Sequence, residues 1–462
     1  MPDQIRAVIG LDIGTTEAKA ICLALDGRLI GIGRASYRTE TGPDGRAEQD
    51  PADWWSALSA AVRDIDLSGV EVVALCGATQ GPTLVAVDDQ GMPVRPAVTW
   101  QDRRPGDTGF GLLPRMAWLA REDPVAAMRA VWLLPAWDAL GLWLTGEAAS
   151  STQAHESPLS AEALELAGVA PTQVPAPRPV GSLLGTLRPM VGAALGLRPG
   201  TPVICGVNDG AASMLGAGLL SAGDAVDTGG ASGGLAIYAD HAVAVPGLYC
   251  APAPLPGRWA VGGAMASLGA SVDWLRATVL GDTWSIEELF SDASRVAPGS
   301  DGLIFLPYLA GERAPVFDET ARGAFAGLTL AHGRGHLLRA VLEGAAYAMR
   351  HVAEPLAAAG APVTSLRLAG RSTPEDLWGR IKADVLGVPV IVPAVGETAV
   401  LGAAILAAAG AGAVPDLATA VAAMTGTARR LEPDPATREA YDAGFARYRA
   451  LYPALRSAGI GG

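Results

Sequence analysis

The sequence predicts an α/β fold built as two related halves, and three observations carry that reading. The chain has 462 residues, more than one hydrophobic core comfortably serves, so two domains are the default. Apolar runs of strand length alternate along it with segments of helical period, the mark of the α/β class. A turn of sequence DIGTT at 12–16 is echoed as DTGGA at 227–231, each following a short apolar strand and preceding another (AKAICLAL and GGLAIYA). Asp-x-Gly turns are common, so the echo alone does not separate duplication from coincidence.

Residues 5–11 (IRAVIGL) form an apolar strand, 12–17 (DIGTTE) a small polar turn and 18–25 (AKAICLAL) a second strand. Asp26-Gly27 is a hairpin signal, and 28–35 (RLIGIGRA) reads as a third strand. A helix starts near residue 50. Asp50 can cap it, Pro51 suits its first position, and Trp54, Leu58, Ala61, Val62 and Ile65 follow at helical spacing. A buried strand at 70–77 (VEVVALCG) comes next. Residues 171–202 are dense in Pro and Gly and read as a surface excursion. The same bias at 241–257 reads as a domain junction, dividing the chain into 1–240 and 241–462. The longest apolar run, 399–414, is short of the ~20 residues a membrane span needs, so a buried helix is expected there.

Composition excludes several function classes. The net charge is −13, and the only lysines are Lys19 and Lys382, with no basic run to neutralise a phosphate backbone. That argues against nucleic acid as a partner. Cys22, Cys76, Cys205 and Cys250 stand far apart, as reduced thiols of a cytoplasmic enzyme would. Asp3 and Asp12 flank too short an apolar stretch for a signal peptide, so a cytoplasmic location without membrane attachment is expected. Neither lysine follows a glycine, so no P-loop is present; GxSxG and HExxH are also missing. His332 and His336 lie in a Gly-broken stretch (HGRGH), which favours a surface or capping role over metal binding.

Two turns and one carboxylate remain to carry chemistry. In DIGTT, Gly14 lets backbone approach an anion, Thr15 and Thr16 offer donors, and Asp12 is a hard-oxygen ligand suited to Mg²⁺. The turn at 229–233 (Gly229, Gly230, Ala231, Ser232, Gly233) could cradle phosphate in the same way; either turn could equally be a plain hairpin. Asp209, in VICGVNDG, stands between an apolar strand and a small-residue helix, where ligands bind in α/β sheets. A carboxylate there could take a proton from an attacking hydroxyl, or Asn208 and Asp209 could simply cap the helix.

These pieces resemble the FGGY family of carbohydrate kinases over nearly the whole chain. DIGTTEAK is similar to the family's first phosphate turn, EQDPADWW (48–55) to its usual helix entry, and AVTWQDRR (97–104) to its sugar-site edge. VNDGAASMLGAGLLSAGDA resembles the segment carrying the catalytic aspartate, and MASLGASVDWLR the stretch where a glycine approaches the nucleotide. The most specific match is 307–344, where Gly323, Phe325, Gly327, Leu328, His336, Leu337, Ala340 and Glu343 fit the family's C-terminal signature. The resemblance implies two ribonuclease-H-like domains of the actin-like kind with ATP between them, and ATP with Mg²⁺ as cofactors. It implies Asp209 as the catalytic base, Asp12 near the metal, and Gln80, Gly81, Trp100, Asp102 and Asn208 around a small sugar or polyol. For the nucleotide it implies Gly14, Thr15, Thr16 and Lys19, the turn 229–233, Gly269, and Gly370, Arg371, Ser372 and Glu375. Asp102 could instead pair with Arg103 or Arg104, and Trp100 could be core. Dimers are common in the family, which leaves a homodimer open.

Four positions depart from the family pattern. Gly370-Arg371-Ser372-Thr373 stands where GGGA is usual, and Ala231 replaces a threonine. Gly210 stands where an amide usually holds the sugar, and Gln80-Gly81 where xylulokinases have Met-His. Similarity to xylulokinases favours a ketopentose such as xylulose as substrate. TQGPTLVAVD (79–88) and GASVDWLR also resemble glycerol kinase, which keeps a polyol open. A sugar-responsive ATPase without kinase activity is the alternative from another class.

Overall fold

In the computed structural model, which describes residues 4–106, 111–152, 159–369 and 376–461, the opening apolar run is β1 (Ile5–Ile13). It pairs antiparallel with β2 (Glu17–Ala24), and β2 with β3 (Leu29–Ser36) across a turn where Gly27 takes a φ of 89° that favours glycine. Helix α1 (Pro51–Arg63) starts as its sequence dictates: the Asp50 carboxylate accepts the Ala52 N–H at 2.9 Å, with Pro51 at the first position. It buries Trp54, Leu58, Ala61 and Val62 against the sheet. β4 (Val70–Thr79) lies parallel to β1. Residues 171–202, expected as a surface excursion, instead supply a short helix (Pro189–Leu195) and the edge strand β5 (Leu183–Thr186). Their Pro and Gly residues mark the ends of these elements: Pro189 opens the helix and Gly196 closes it with a φ of 70°. β6 (Pro202–Asn208) completes the sheet, in the order β5-β6-β4-β1-β2-β3. A smaller sheet includes Ala47–Gln49 and Trp132–Pro135 and leads into α2 (Ala136–Thr145); α3 (Asp209–Gly216) follows β6 directly.

The second large sheet contains β7 (Asp224–Asp227), β8 (Gly234–Ala239), β9 (Tyr249–Pro252), β10 (Trp259–Ala264), β11 (Ser365–Leu368), β12 (Val390–Pro393) and β13 (Thr427–Leu431). Its order is β9-β10-β8-β7-β11-β12-β13. Both sheets follow one plan. A first strand has two antiparallel neighbours on one side (β1 with β2 and β3; β7 with β8 and β10). On the other side stand two parallel strands and an antiparallel edge (β4, β6, β5; β11, β12, β13). The DIGTT/DTGGA echo therefore marks equivalent turns, each joining the first two strands of the same topology. Helices α4 (Leu268–Trp274), α5 (Arg334–Ala358) and α6 (Leu377–Leu386) belong to this unit; α5 is its central buried helix.

The chain divides into two compact units. One comprises Met1–Gly216, Pro252–Pro256 and Thr398–Thr425, the other Ala217–Ala251, Gly257–Glu397 and Gly426–Gly462. The apolar run expected as a buried helix is α7 (Thr398–Gly410), buried nearly all round and returned to the first unit. It packs backbone to backbone: a Cβ on Gly402 would lie 1.9 Å from the Ala212 carbonyl of α3. The last helix, α8 (Arg438–Ser457), belongs to the second unit. Among the described residues no helix is long and apolar enough to cross a membrane.

Candidate functional site

Three parallel strands of the first unit end side by side. In register, Asp12 faces Ala78, and Ile13 faces Thr79, which faces Asn208. Asp12, Gln80 and Asp209 are thereby gathered at the C-terminal edge of the sheet, where α/β proteins bind ligands. Asp12 is 4% exposed, and Lys19 is its cross-strand partner on β2, 3.3 Å from Glu17. The Asn208 side chain accepts the Ala211 N–H at 2.8 Å, so Asn208 performs the helix capping. Asp209 accepts the Gly210 N–H at 2.8 Å, and burial pushes its pKa up to about 6 despite that bond.

The first turn is held from behind by its carbonyls. The Tyr37 hydroxyl donates to the Gly14 carbonyl, Gln49 Nε2 donates to the Thr15 carbonyl at 2.7 Å, and the Tyr37 N–H donates to the Thr16 carbonyl at 3.1 Å. In a trans peptide the N–H points opposite to the C=O. The amides of Thr15, Thr16 and Glu17 therefore face the other way, as an anion-binding nest requires. Tyr37 stays protonated: burial, and then the charges of Asp12, Glu17 and Asp209, raise its pKa far above the phenol range. Gln49 is a buried hub. Its Oε1 accepts from Trp54 Nε1 at 2.8 Å and from Gln80 Nε2 at 2.6 Å. Neither Tyr37 nor Gln49 was anticipated as a site residue, although Gln49 lies within the EQDPADWW motif.

The residues expected around the sugar divide into two sets. Trp100 is half-buried, and its indole N–H donates to the Thr15 hydroxyl at 3.1 Å. Gly81 sits against Asn208 and against Trp137 of α2, a residue the sequence reading did not single out. Gln80 and Asp102 also make contacts within the protein. Gln80 is fully buried and reaches the first turn through Gln49. The Asp102 carboxylate is saturated by the Ala47 N–H at 3.0 Å and by Arg104, whose Nη2 also lies 2.5 Å from Glu48. Burial works to raise the Asp102 pKa, but these bonds outweigh it and hold the carboxyl below its ordinary value. Asp102 thus pairs with Arg104 and shapes the segment that carries Trp100.

In the second unit the turn after β7 repeats the design. Gly229, Gly230 and Gly233 all take positive φ values, and the Asp227 carboxylate accepts the Gly229 N–H at 2.9 Å. The carbonyls of Ala231 and Ser232 accept the N–H groups of Ala270 and Leu268, each at 2.9 Å, so the following amides face away from α4. Gly269 packs on this turn: a Cβ there would lie 2.2 Å from the Gly230 carbonyl oxygen. Behind the turn, Lys382 of α6 places Nζ 2.5 Å from Asp227 Oδ2 and 4.0 Å from the Trp378 ring centre. The two lysines of the chain thus stand beside the two aspartates that open the two turns. Glu312 is buried and accepts the N–H groups of Ala266, at 2.9 Å, and Arg313, at 2.7 Å; burial pushes its pKa up to about 7.

Gly370, Arg371, Ser372 and Glu375 lie outside the described residues. His332 and His336 do cap: His336 Nδ1 accepts the Gly333 N–H and His332 Nδ1 the Thr329 N–H, both at 3.1 Å. Among the described residues no group of three or more His, Cys, Asp or Glu side chains could hold a metal ion.

Comparison with known proteins bears on these observations. Residues 7–112 match the N-terminal domain of the FGGY family of carbohydrate kinases, and 228–411 match its C-terminal domain. The chain is 33% identical to a glycerol kinase of Thermus brockianus, over 89% of this chain and 91% of that one. It is 28% identical to a gluconokinase of Bacillus subtilis, over 92% and 91%. The solved xylulose kinase of Rhodospirillum rubrum superposes with a TM-score of 0.88 at 30% identity, covering 98% of this chain and 99% of that one. The fold is accordingly the two-domain, actin-like architecture of these kinases. With duplicated sheets, a phosphate-type turn in each and matches to both family domains, the chain belongs to the FGGY family of carbohydrate kinases.

Proposed function

We propose that this kinase transfers the γ-phosphoryl group of ATP to a hydroxyl of a five-carbon ketose such as xylulose, with Asp209 as general base. The observation that carries the proposal is the Asp209 carboxylate, opening α3 at the end of β6, with its pKa lifted to about 6. A carboxylate so tuned is ionised at neutral pH yet basic enough to accept a hydroxyl proton. The acceptor oxygen attacks the γ-phosphorus as its proton passes to Asp209, and the bond from phosphorus to the β,γ-bridging oxygen breaks to release ADP. In the first unit the outward amides at 15–17 suit phosphate oxygens of the nucleotide, and in the second unit the amides after Ala231 and Ser232 offer the same chemistry. Asp12, a buried hard-oxygen donor at the same edge of the sheet, fits Mg²⁺, which is commonly held by one or two carboxylates plus phosphate oxygens and keeps several waters. When bound, that ion neutralises charge on the phosphates.

Support for a ketopentose comes from the xylulose kinase of Rhodospirillum rubrum, at 30% identity over nearly the full chain. A polyol is the second reading, favoured by the 33% identity to the Thermus brockianus glycerol kinase. A coupled ADP-release assay across xylulose, ribulose, gluconate, erythritol, xylitol and glycerol decides between them. The expected result is the highest kcat/KM on a ketopentose, lost in Asp209→Asn. Preference for gluconate or a polyol would overturn the substrate assignment, and full activity of Asp209→Asn would overturn the mechanism.

A further inference from the structure

Position 81 lacks a side chain, and the structure reveals what uses the space. A Cβ on Gly81 would lie 2.8 Å from Cζ3 of Trp137, 3.6 Å from its Cη2, and 3.4 Å from Cβ of Asn208. The indole therefore stands where a side chain at 81 would project, beside the residue that precedes Asp209. Trp137 comes from the first turn of α2, where Ala136, Asp138, Ala139 and Leu140 are buried while the indole stays half open. One residue fixes it relative to Trp100: the Thr83 carbonyl accepts the Ala136 N–H at 3.1 Å, and the Thr83 hydroxyl accepts the Trp100 N–H at 3.2 Å. An indole held this way offers a flat apolar face, which suits the C–H side of a polyhydroxylated chain.

We propose that Trp137 is a specificity-determining residue for the acceptor, filling the space left by Gly81 and stacking on the C–H face of a sugar or polyol chain of at least four carbons. The inference rests on the acceptor site proposed around Asp209 and adds what lines it. Three-carbon glycerol covers too little of an indole to gain much from the contact, so the wall favours longer acceptors by differential binding. Gly81 is required for the same reason: any larger residue there displaces the ring.

The test is steady-state kinetics of the full chain with Trp137→Ala, Trp137→Phe and Trp137→Leu. The readouts are KM for the best wild-type acceptor, KM for glycerol and KM for ATP. Trp137→Ala should raise KM for the best acceptor by roughly tenfold, the size of one lost aromatic stacking contact. KM for ATP should be unchanged and the effect on glycerol smaller, while Trp137→Phe restores most of the affinity. If Trp137→Ala does not fold, Trp137→Leu keeps apolar bulk without the flat face, and the same rise is expected of it. An acceptor KM within twofold of wild type in the folded variant, or an equal rise for glycerol, overturns the inference. The identity of the best acceptor judges the substrate assignment separately, because the Trp137 ratio is read on whichever acceptor that is.

Discussion

Lys382→Met probes the turn of the second unit from behind. Lys382 and Asp227 are each 6% exposed in their side chains and lie 2.5 Å apart. At an effective dielectric of ~20, their attraction is ~7 kcal/mol before desolvation is counted. Most of that offsets the burial of two charges, so the cost of the substitution comes from leaving Asp227 buried without its cation. Breaking one side of such a pair commonly costs about 3–5 kcal/mol. For a unit of this size that corresponds to about 2–4 °C of melting temperature per kcal/mol. Because Asp227 also accepts the Gly229 N–H, a carboxylate that repositions itself should drag the turn, and KM for ATP should rise with it. Differential scanning calorimetry and ATP titration read the two effects. Adding Asp227→Asn removes the stranded charge but keeps an acceptor for Gly229, so the double variant should recover part of the stability. A melting temperature equal to wild type for Lys382→Met, or strictly additive losses in the double variant, would refute the reasoning.

Other outcomes follow from the same geometry. With the Asp209 pKa at about 6, kcat/KM should fall as pH drops through that value, with about half the base protonated at pH 6 and nine tenths at pH 5; a flat profile from pH 8 to 5 would exclude Asp209 as the titrating base. Asp209→Asn should lower kcat by ~10²–10⁴ while ATP·Mg²⁺ still raises the melting temperature. Glu312 is lifted to about 7 by burial, so its folded-state pKa exceeds its unfolded one. Its contribution to stability is full below the ordinary carboxylate pKa and is lost as pH rises to about 7, so Glu312→Gln should be the more stable protein at pH 8, by ~1–3 kcal/mol, with the gap closing toward pH 4; urea melts that track wild type at both pH values would contradict this. Gly269→Ala puts a methyl group on the Gly230 carbonyl and should raise KM for ATP while leaving the sugar KM alone.

What the sequence disclosed follows from how far each signal reaches along the chain. The β1–turn–β2 hairpin, the capped start of α1 and the buried α7 are written in contiguous residues, in alternation, capping chemistry and unbroken apolarity. Asp209 was legible because strand, acid and small-residue helix follow one another. Gln49 and Tyr37 were not, because their contacts to Thr15 and Gly14 span 34 and 23 residues and depend on β3 and a small sheet folding back. Trp137 was hidden for the same reason: only the placement of α2 brings it to Gly81. The engagement of the Gln80 Nε2 by Gln49 was equally out of reach of the sequence, whereas that of Asp102 by Arg104, only two residues away, is one of the alternatives the sequence leaves open. The 171–202 stretch misled because its Pro and Gly residues mark the ends of short elements as readily as they mark loops.

The route of the chain to α7 has a consequence for biogenesis. The helix that covers the inner strands of the first sheet is encoded at Thr398–Gly410, close against Gly10 of β1: a Cβ on Gly10 would lie 2.1 Å from the Val400 carbonyl. A nascent chain leaving the ribosome through residue 397 therefore carries β1, β4 and α3 with one apolar face still bare, while most of the second unit is already synthesised. The N-terminal half cannot mature first and wait, as domains of a simple tandem protein do. Its completion waits on the translation of Thr398–Gly410, so premature termination or cleavage ahead of residue 398 leaves an aggregation-prone fragment rather than a half-active one. Contacts that close over such a separation are slow to form. Chaperone demand during synthesis should accordingly concentrate on the interval before α7 emerges.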